Sequence, residues 1–190
     1  MKKTLLALAL LTSAGFAQAE IATYNIDPSH TFVYFEAKHF GTSTLRGRFD
    51  KKEGSVTLDR AAKTGKADIS IDVNSISTGV APLDGHLKSK DFFNAAESGT
   101  VKFVGDKFAF DAAGKVTSVA GNLTMLGKTQ PVTLAASNFN CYDHPMLKRE
   151  VCGGDFETTI ARSQWGMNYG VANGLPDNIR LLIQIEAPKQ

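Results

Sequence analysis

The residues best suited to catalysis lie close together near the start of the chain. Asp27, Ser29 and His30 are the residue types of a hydrolase triad, in which a serine attacks, a histidine takes its proton and an acid orients the histidine. Residues this near in sequence rarely reach triad geometry, and the chain has no G-x-S-x-G turn to present a nucleophilic serine. We therefore expect no catalytic residues and no enzymatic activity.

The histidines do not form a metal-binding motif. His30, His39, His86 and His144 make no H-x-H or H-E-x-x-H pair. Any metal centre would have to be assembled by the tertiary structure from distant parts of the chain. We predict no metal site and no other cofactor.

The two cysteines, Cys141 and Cys152, have ten residues between them. A structural disulfide is the expected state in an oxidising compartment, with a redox dithiol or half of a metal site as the alternatives. The spacing is far from C-x-x-C, and the chain has no second cysteine pair to complete a zinc site. Closing so short a loop would stabilise the fold by roughly 3 kcal/mol.

The N-terminus predicts export. Lys2 and Lys3 precede an apolar run from Leu5 to Phe16, and Ala17-Gln18-Ala19 has the form of a signal-peptidase site. A transmembrane anchor would need about 20 apolar residues, and this run is shorter. We expect a signal peptide over residues 1–19, cleaved after Ala19, and a periplasmic mature chain over residues 20–190 that does not span the membrane.

The charge balance argues against nucleic acid as a partner. Lys2 and Lys3 are two of the 21 basic residues, so the mature chain keeps 19 against 19 acidic residues. A neutral chain has no electrostatic attraction for a polyanion. Neutrality mildly favours self-association and leaves a homodimer open.

The elements that would position any site are strands. Apolar and polar residues alternate in Thr31–His39, Ala67–Val73 and Ile179–Glu186, as is typical of strands with one buried face. Turn signals separate shorter runs of the same kind, which indicates an antiparallel all-β barrel or sandwich. The shorter runs are Tyr24–Asp27, Arg46–Asp50, Ser55–Asp59, Val101–Val104, Lys107–Asp111, Val119–Leu126, Val132–Asn138 and Asp155–Arg162.

One segment departs from this alternation. From Pro82 to Asn94, Leu83 and Leu87 are one helical turn apart, and Pro82 suits a first helical position. The segment predicts one short helix followed by the packed pair Phe92-Phe93. No linker or repeat divides the chain, so residues 20–190 are expected to form one domain.

The chain is rich in aromatic residues, with 12 Phe, four Tyr and one Trp. These side chains could simply fill the core. A barrel of about eight strands can instead hold a small ligand in its interior. Composition does not decide between the two.

Five segments of the mature chain form an ordered set: Asp27–His30 with Val33-x-Phe35-x-Ala37-x-His39, Leu45–Phe49, Gly85–Asn94, Gly121–Gly127 and Arg162–Met167. In this order they resemble the YceI-like family of lipocalin-like periplasmic proteins, and the resemblance covers essentially the whole mature chain. Two departures are Gly99, where the family usually has proline, and the region around the cysteines, which occurs in only some members.

The resemblance implies an extended lipocalin-like antiparallel barrel of about eight strands, with a short helix near 82–94. It also implies binding or transport of a polyisoprenoid, such as an isoprenoid quinone, or of another long apolar lipid, with a link to stress response. The expected apolar tunnel residues are Val33, Phe35, Ala37, Phe49, Leu87, Phe92, Phe93, Phe103, Leu123, Met125, Ile160, Trp165, Met167 and Ile183.

Two polar residues are candidates for contacting a lipid headgroup. Alternation places His39 on the Val33 face and Arg162 on the Phe156 face of their strands. Alternatively, His39 lies past the end of its strand and Arg162 extends to solvent. The rival function is a secreted barrel with a filled core that acts as a stress-protective or protein-interaction module.

Overall fold

The computed structural model describes residues 21–190. The predicted signal peptide and its cleavage site lie outside the described residues. Strands dominate the rest: β1 Ala22–Asn25, β2 Phe32–His39, β3 Ser43–Phe49, β4 Lys52–Asp59, β5 Thr64–Asp72, β6 Ile76–Ser77, β7 Thr100–Phe110, β8 Val116–Met125, β9 Lys128–His144, β10 Arg149–Ala161 and β11 Asn178–Pro188.

The eleven strand segments make eight long antiparallel strands, because three of the long strands are interrupted. β1 and β2 are one interrupted strand, β3 and β4 a second, and β5 and β6 a third. The pairing shows this: β2 pairs with β3 while β1 pairs with β4, and β4 pairs with β5 while β3 pairs with β6. The prediction of about eight strands therefore agrees with the architecture, although the interruptions were not predicted.

The sheet curls into a barrel whose seam joins the two ends of the described chain. β5 pairs with β7, and from β7 onward each strand pairs with the next as far as β11. β11 in turn pairs with β2. The end of β11 also meets β1, where Tyr24 bridges to Lys189 and the Gln190 amide donates to the Thr23 carbonyl at 2.9 Å. These contacts confirm the predicted all-β antiparallel class.

The alternating faces are those predicted from the sequence. In β2, Val33 and Phe35 are buried, and in β11 the Leu181 and Ile183 side chains face the same interior. Phe35 lies flat over Gly47 on β3, where an added Cβ would meet the ring at 2.2 Å. Glycine at position 47 therefore lets an aromatic side chain cover the neighbouring strand.

The helix is shorter than predicted. Helix α1 spans Ala81–Lys88 with Pro82 in its first turn, and Ser89 ends it with an extended backbone. Residues 89–95 continue as hydrogen-bonded turns, in which the Phe93 amide donates to the Leu87 carbonyl at 3.0 Å. No helix within residues 21–190 is long and apolar enough to cross a bilayer.

Candidate functional site

A long apolar cavity occupies one half of the barrel. About 1060 Å³ is not filled by protein atoms, counted with its open side. The cavity follows β11 from Leu181 to Ala187, which is roughly 20 Å of strand. The space is therefore narrow for its length, and it fits a slender chain better than a bulky ring system.

The wall of the cavity offers a ligand no polar group without a partner. The Tyr24 hydroxyl donates to Glu150 Oε1 at 2.6 Å, and the Thr31 hydroxyl donates to the Glu186 carbonyl at 3.2 Å. Among the described residues, no buried side-chain nitrogen or oxygen lacks a hydrogen-bond partner. The cavity can therefore hold hydrocarbon, and a polar headgroup would have to remain at its mouth.

The structure places four of the fourteen predicted tunnel residues in this wall: Val33, Phe103, Leu123 and Ile183. The other ten predicted tunnel residues lie outside the cavity wall, and most of them pack in the opposite half of the barrel. These ten are Phe35, Ala37, Phe49, Leu87, Phe92, Phe93, Met125, Ile160, Trp165 and Met167.

That opposite half is filled by aromatic packing. Trp165 is 1% exposed and donates its indole N–H to the Leu123 carbonyl at 3.0 Å. Leu123 is itself one of the residues that line the cavity. The Phe49 ring centroid lies 5.9 Å from that of Phe35 and 5.7 Å from that of Phe93. Aromatic pairs at these distances stabilise one another beyond simple burial. We call this half the filled half, and the other the cavity half.

Arg162 does not face the cavity, nor does it extend to solvent. It is 4% exposed, and its guanidinium donates to three backbone carbonyls: Pro176 at 2.8 Å, Met167 at 2.9 Å and Tyr169 at 2.8 Å. Burial lowers the pKa of Arg162, which Asp177 partly opposes. The side chain therefore holds together the segment 162–177.

His39 is the last residue of β2, and its side chain is exposed. Its ring meets Phe40 edge-on, with 4.8 Å between centroids. It borders a shallow surface groove with Arg46 and Leu83, and it takes no part in the cavity wall. His39 therefore lies at the end of its strand and outside the cavity wall, and its contact with a headgroup stays a prediction.

The residues that resemble a hydrolase triad do contact one another, but in a different geometry. Asp27 Oδ2 lies 2.7 Å and Ser29 Oγ 3.1 Å from the same atom, Nδ1 of His30. A triad needs the serine and the acid on opposite ring nitrogens. Burial raises the pKa of Asp27, but hydrogen bonds from Ser29 and His30 outweigh it and lower the pKa to about 2.

The predicted disulfide is confirmed. Cys141 on β9 pairs directly with Cys152 on β10, and their sulfur atoms are bonded. Glu150 lies near both, and these three are the one group of metal-type ligands found within residues 21–190. Because both sulfur atoms are in the disulfide, neither is available as a thiolate ligand for a metal, and the two cysteines serve as a cross-link.

Most of the cavity wall comes from residues that the tunnel prediction left out. Alternation had already put Ala67, Ile69 and Ile71 on one face of β5, so this signal could have found them. The remaining wall residues are Tyr24, Thr31, Val56, Leu58, Phe108, Val116, Val119, Val132, Leu134, Phe139, Cys152, Gly153, Phe156, Leu181, Ile185 and Ala187.

Comparison with known proteins identifies relatives of this barrel. The family model described as YceI-like domain matches residues 24–187. A UPF0312 protein of Pseudomonas aeruginosa is 36% identical over 198 residues, covering 100% of both chains. Among solved structures, Burkholderia cenocepacia BcnA superposes with a TM-score of 0.71 at 23% identity, over 85% of this chain and 99% of that one.

A third neighbour has a ligand in its name. It is a polyisoprenoid-binding domain from Saccharophagus degradans, with a TM-score of 0.65 and 14% identity, over 90% of this chain and 100% of that domain. At such identities, the two solved structures establish a shared fold.

Proposed function

The chain belongs to the YceI-like family, and we propose that it binds a polyisoprenoid lipid, such as an isoprenoid quinone, in the cavity half of its barrel. The protein would work in the periplasm as a carrier or store, without a catalytic step and without nucleic acid as a partner. A link to stress response, implied by the family resemblance, belongs to the same proposal. The cavity is the observation that carries it.

The shape and polarity of the cavity support a prenyl chain as its occupant. Its wall is apolar and narrow for its length, and its two hydroxyl groups already have partners within the protein. Burying hydrocarbon is worth about 0.8 kcal/mol per methylene, so three prenyl units would contribute about 10 kcal/mol before the cost of immobilisation. Useful affinity therefore needs no polar recognition.

The disulfide and the predicted signal peptide support the proposed location. A disulfide persists in oxidising compartments, and Cys141 and Cys152 form one. We propose that cleavage after Ala19 leaves residues 20–190 as one domain that diffuses between membranes with its lipid.

Native mass spectrometry with prenyl quinones of increasing tail length tests the proposal. We expect one lipid per barrel, with affinity that rises with tail length until the cavity is full. A mature protein that takes up no member of the series, and carries no lipid after purification, would contradict it.

A matched pair of variants on β11 locates the ligand. Ile183 lines the cavity, whereas Leu182 lies on the other face of the same strand. We expect Ile183→Phe to weaken uptake at least about tenfold by filling the space, and Leu182→Phe to bind as the wild type does. Urea unfolding of both variants checks that each is folded. Equal uptake by all three proteins would place the lipid elsewhere.

A further inference from the structure

The hairpin between β9 and β10 carries apolar side chains into solvent at its tip. β9 pairs with β8 as far as Ala135, and from there to His144 it pairs only with β10. At the end of this arm Met146 is 82% exposed, Leu147 48% and Tyr142 40%. We call residues 142–149 the hairpin tip. The cavity and the packed core do not use its apolar side chains.

The structure holds these side chains outward. His144 Nδ1 accepts hydrogen bonds from the Met146 and Leu147 amides, both at 3.2 Å, and the Lys148 amide donates to the His144 carbonyl at 2.9 Å. Three residues before His144, the Cys141 disulfide ties the two strands together. Met146 and Leu147 cannot fold back into the barrel without breaking this turn, so their exposure is built in.

Basic residues follow the apolar ones directly. Lys148 and Arg149 are both exposed at the base of the turn. Three carboxylates lie nearby: Glu150 is engaged by Arg60 at 2.6 Å, whereas Asp143 and Glu186, which accepts a hydrogen bond from the Tyr142 hydroxyl at 3.3 Å, oppose the positive charge. An apolar tip with cations beside it can insert into the headgroup region of an anionic bilayer and be held there by its charge.

The size of the tip favours a lipid surface over a protein partner. A stable protein interface buries about 800 Å² on each side and is depleted in lysine. The hairpin tip presents two aliphatic side chains and one tyrosine, with Lys148 among them. So small an apolar area suits shallow insertion into a bilayer, where no matching surface is needed.

The hairpin tip stands next to the cavity half of the barrel. Below the tip, the same hairpin contributes Phe139, Cys152 and Gly153 to the cavity wall. The exposed Phe40 lies at the other end, beyond the β2 residues that pair with the start of β11. A bilayer against the tip would therefore lie at the cavity end and away from the filled half.

We propose that the hairpin tip docks the barrel on the surface of an anionic phospholipid bilayer, so that lipid enters or leaves the cavity at that surface. The exchange rests on the proposed function, whereas the docking can be measured without any cargo. The disulfide then has a second role, because it keeps the docking element fixed relative to the cavity.

Flotation with vesicles of phosphatidylethanolamine and phosphatidylglycerol tests the docking. Against the wild type, Met146→Ser/Leu147→Ser should lower the partition coefficient about tenfold or more. Phe40→Ser, which removes an exposed apolar side chain at the far end, should stay within about twofold of the wild type. Lys148→Gln/Arg149→Gln should weaken binding to these vesicles about fivefold and reduce its salt dependence, with no effect on neutral phosphatidylcholine vesicles.

Three outcomes would overturn the docking proposal. The first is a wild type that binds neither kind of vesicle, and the second is a Met146→Ser/Leu147→Ser protein that binds as well as the wild type. Binding to native membranes that protease treatment of the membranes abolishes, with none to pure lipid, would assign the tip to a protein partner instead.

Two delivery routes for a prenyl quinone separate this proposal from the proposed function. Quinone added from ethanol should load the wild type and the Met146→Ser/Leu147→Ser protein equally, whereas quinone held in vesicles should load the variant more slowly. A wild type that floats with vesicles but takes up no quinone by either route would contradict the proposed function of the cavity and leave the docking proposal intact. Equal loading of both proteins from vesicles would overturn the role of the tip in exchange.

Discussion

The two halves of the barrel follow the same alternation of residues but differ in what crosses the interior. In the filled half, side chains from the segments between strands enter the barrel, such as Leu87 of α1, Phe93 after it, and Trp165 and Met167. In the cavity half, short turns connect β4 to β5, β7 to β8 and β9 to β10. Strand side chains alone, the aromatic ones included, do not fill the interior there. Connections, more than strands, therefore decide which half is hollow.

Truncating one large side chain in each half should reveal the largest difference in stability between the two halves. We expect Trp165→Ala to lower the free energy of unfolding by about 4 kcal/mol, because it leaves a void among packed neighbours. Leu181→Ala should cost only about 2 kcal/mol, because its side chain already borders empty space. Urea unfolding of both variants measures the difference. Equal losses would mean that the two halves are packed alike.

Removal of the buried cation tests what holds the filled half. Arg162→Met keeps much of the side-chain volume but leaves three carbonyl groups without their donor, which should cost about 3 kcal/mol. The matched control is Arg46→Met, since Arg46 is 68% exposed and pairs with Glu36 at the surface. That control should lose less than about 1 kcal/mol in the same urea experiment. A comparable loss in both would show that the three hydrogen bonds contribute little.

Overpacking should distinguish the halves in the opposite way. Met125→Phe adds volume to the filled half and should destabilise the fold by about 2 kcal/mol. Ile183→Phe adds volume beside the cavity and should cost less than about 1 kcal/mol, although it blocks the space. Thermal melting of the lipid-free proteins compares them. A larger loss for Ile183→Phe would indicate that the cavity cannot accept the added ring without strain.

The smallest expected effect lies outside both halves, in the turn between β1 and β2. Hydrogen bonding to Asp27 raises the pKa of His30, and the pKa of Asp27 is lowered to about 2. The Asp27 contribution is present above its ordinary value of 3.8 and is lost as pH falls toward 2. The His30 contribution is complete below its ordinary value of 6.5 and is lost as pH rises through the raised value.

We therefore expect the urea midpoint of the wild type to fall, relative to that of His30→Gln, between pH 6 and pH 9. The shift should be small because His30 is exposed. A variant whose midpoint follows the wild type over the whole range would show that the pair does not contribute to stability.

The fold could be predicted further than the site. Alternation identified the buried faces of β2, β5 and β11, and cysteine spacing predicted the bond between Cys141 and Cys152. The interruption between β3 and β4 was missed, because Asp50 and Lys51 differ little from the polar positions of a continuous strand. The local sequence pattern thus predicted the class of the fold but not the positions at which its long strands are interrupted.

Only part of the site could be predicted, because burial does not distinguish a residue that lines the cavity from one that fills the other half of the barrel. Phe103 and Trp165 are both large apolar residues predicted to line the tunnel, and only the packing shows that the first lines the cavity and the second fills the other half. The surroundings of Arg162 could not be predicted for a related reason. Its partners are backbone carbonyls of a turn, which have no signature in the sequence.

The seam of the barrel also determines the order in which the molecule can be completed. Tyr24 and Lys189 meet across it, so the ring cannot close until the chain has been made through Lys189. Contacts this distant in sequence form late and slow the folding of β proteins. Until then the two edges of the curled sheet stay apart. A lipid could enter sideways during this interval, before the finished barrel restricts it to the mouth.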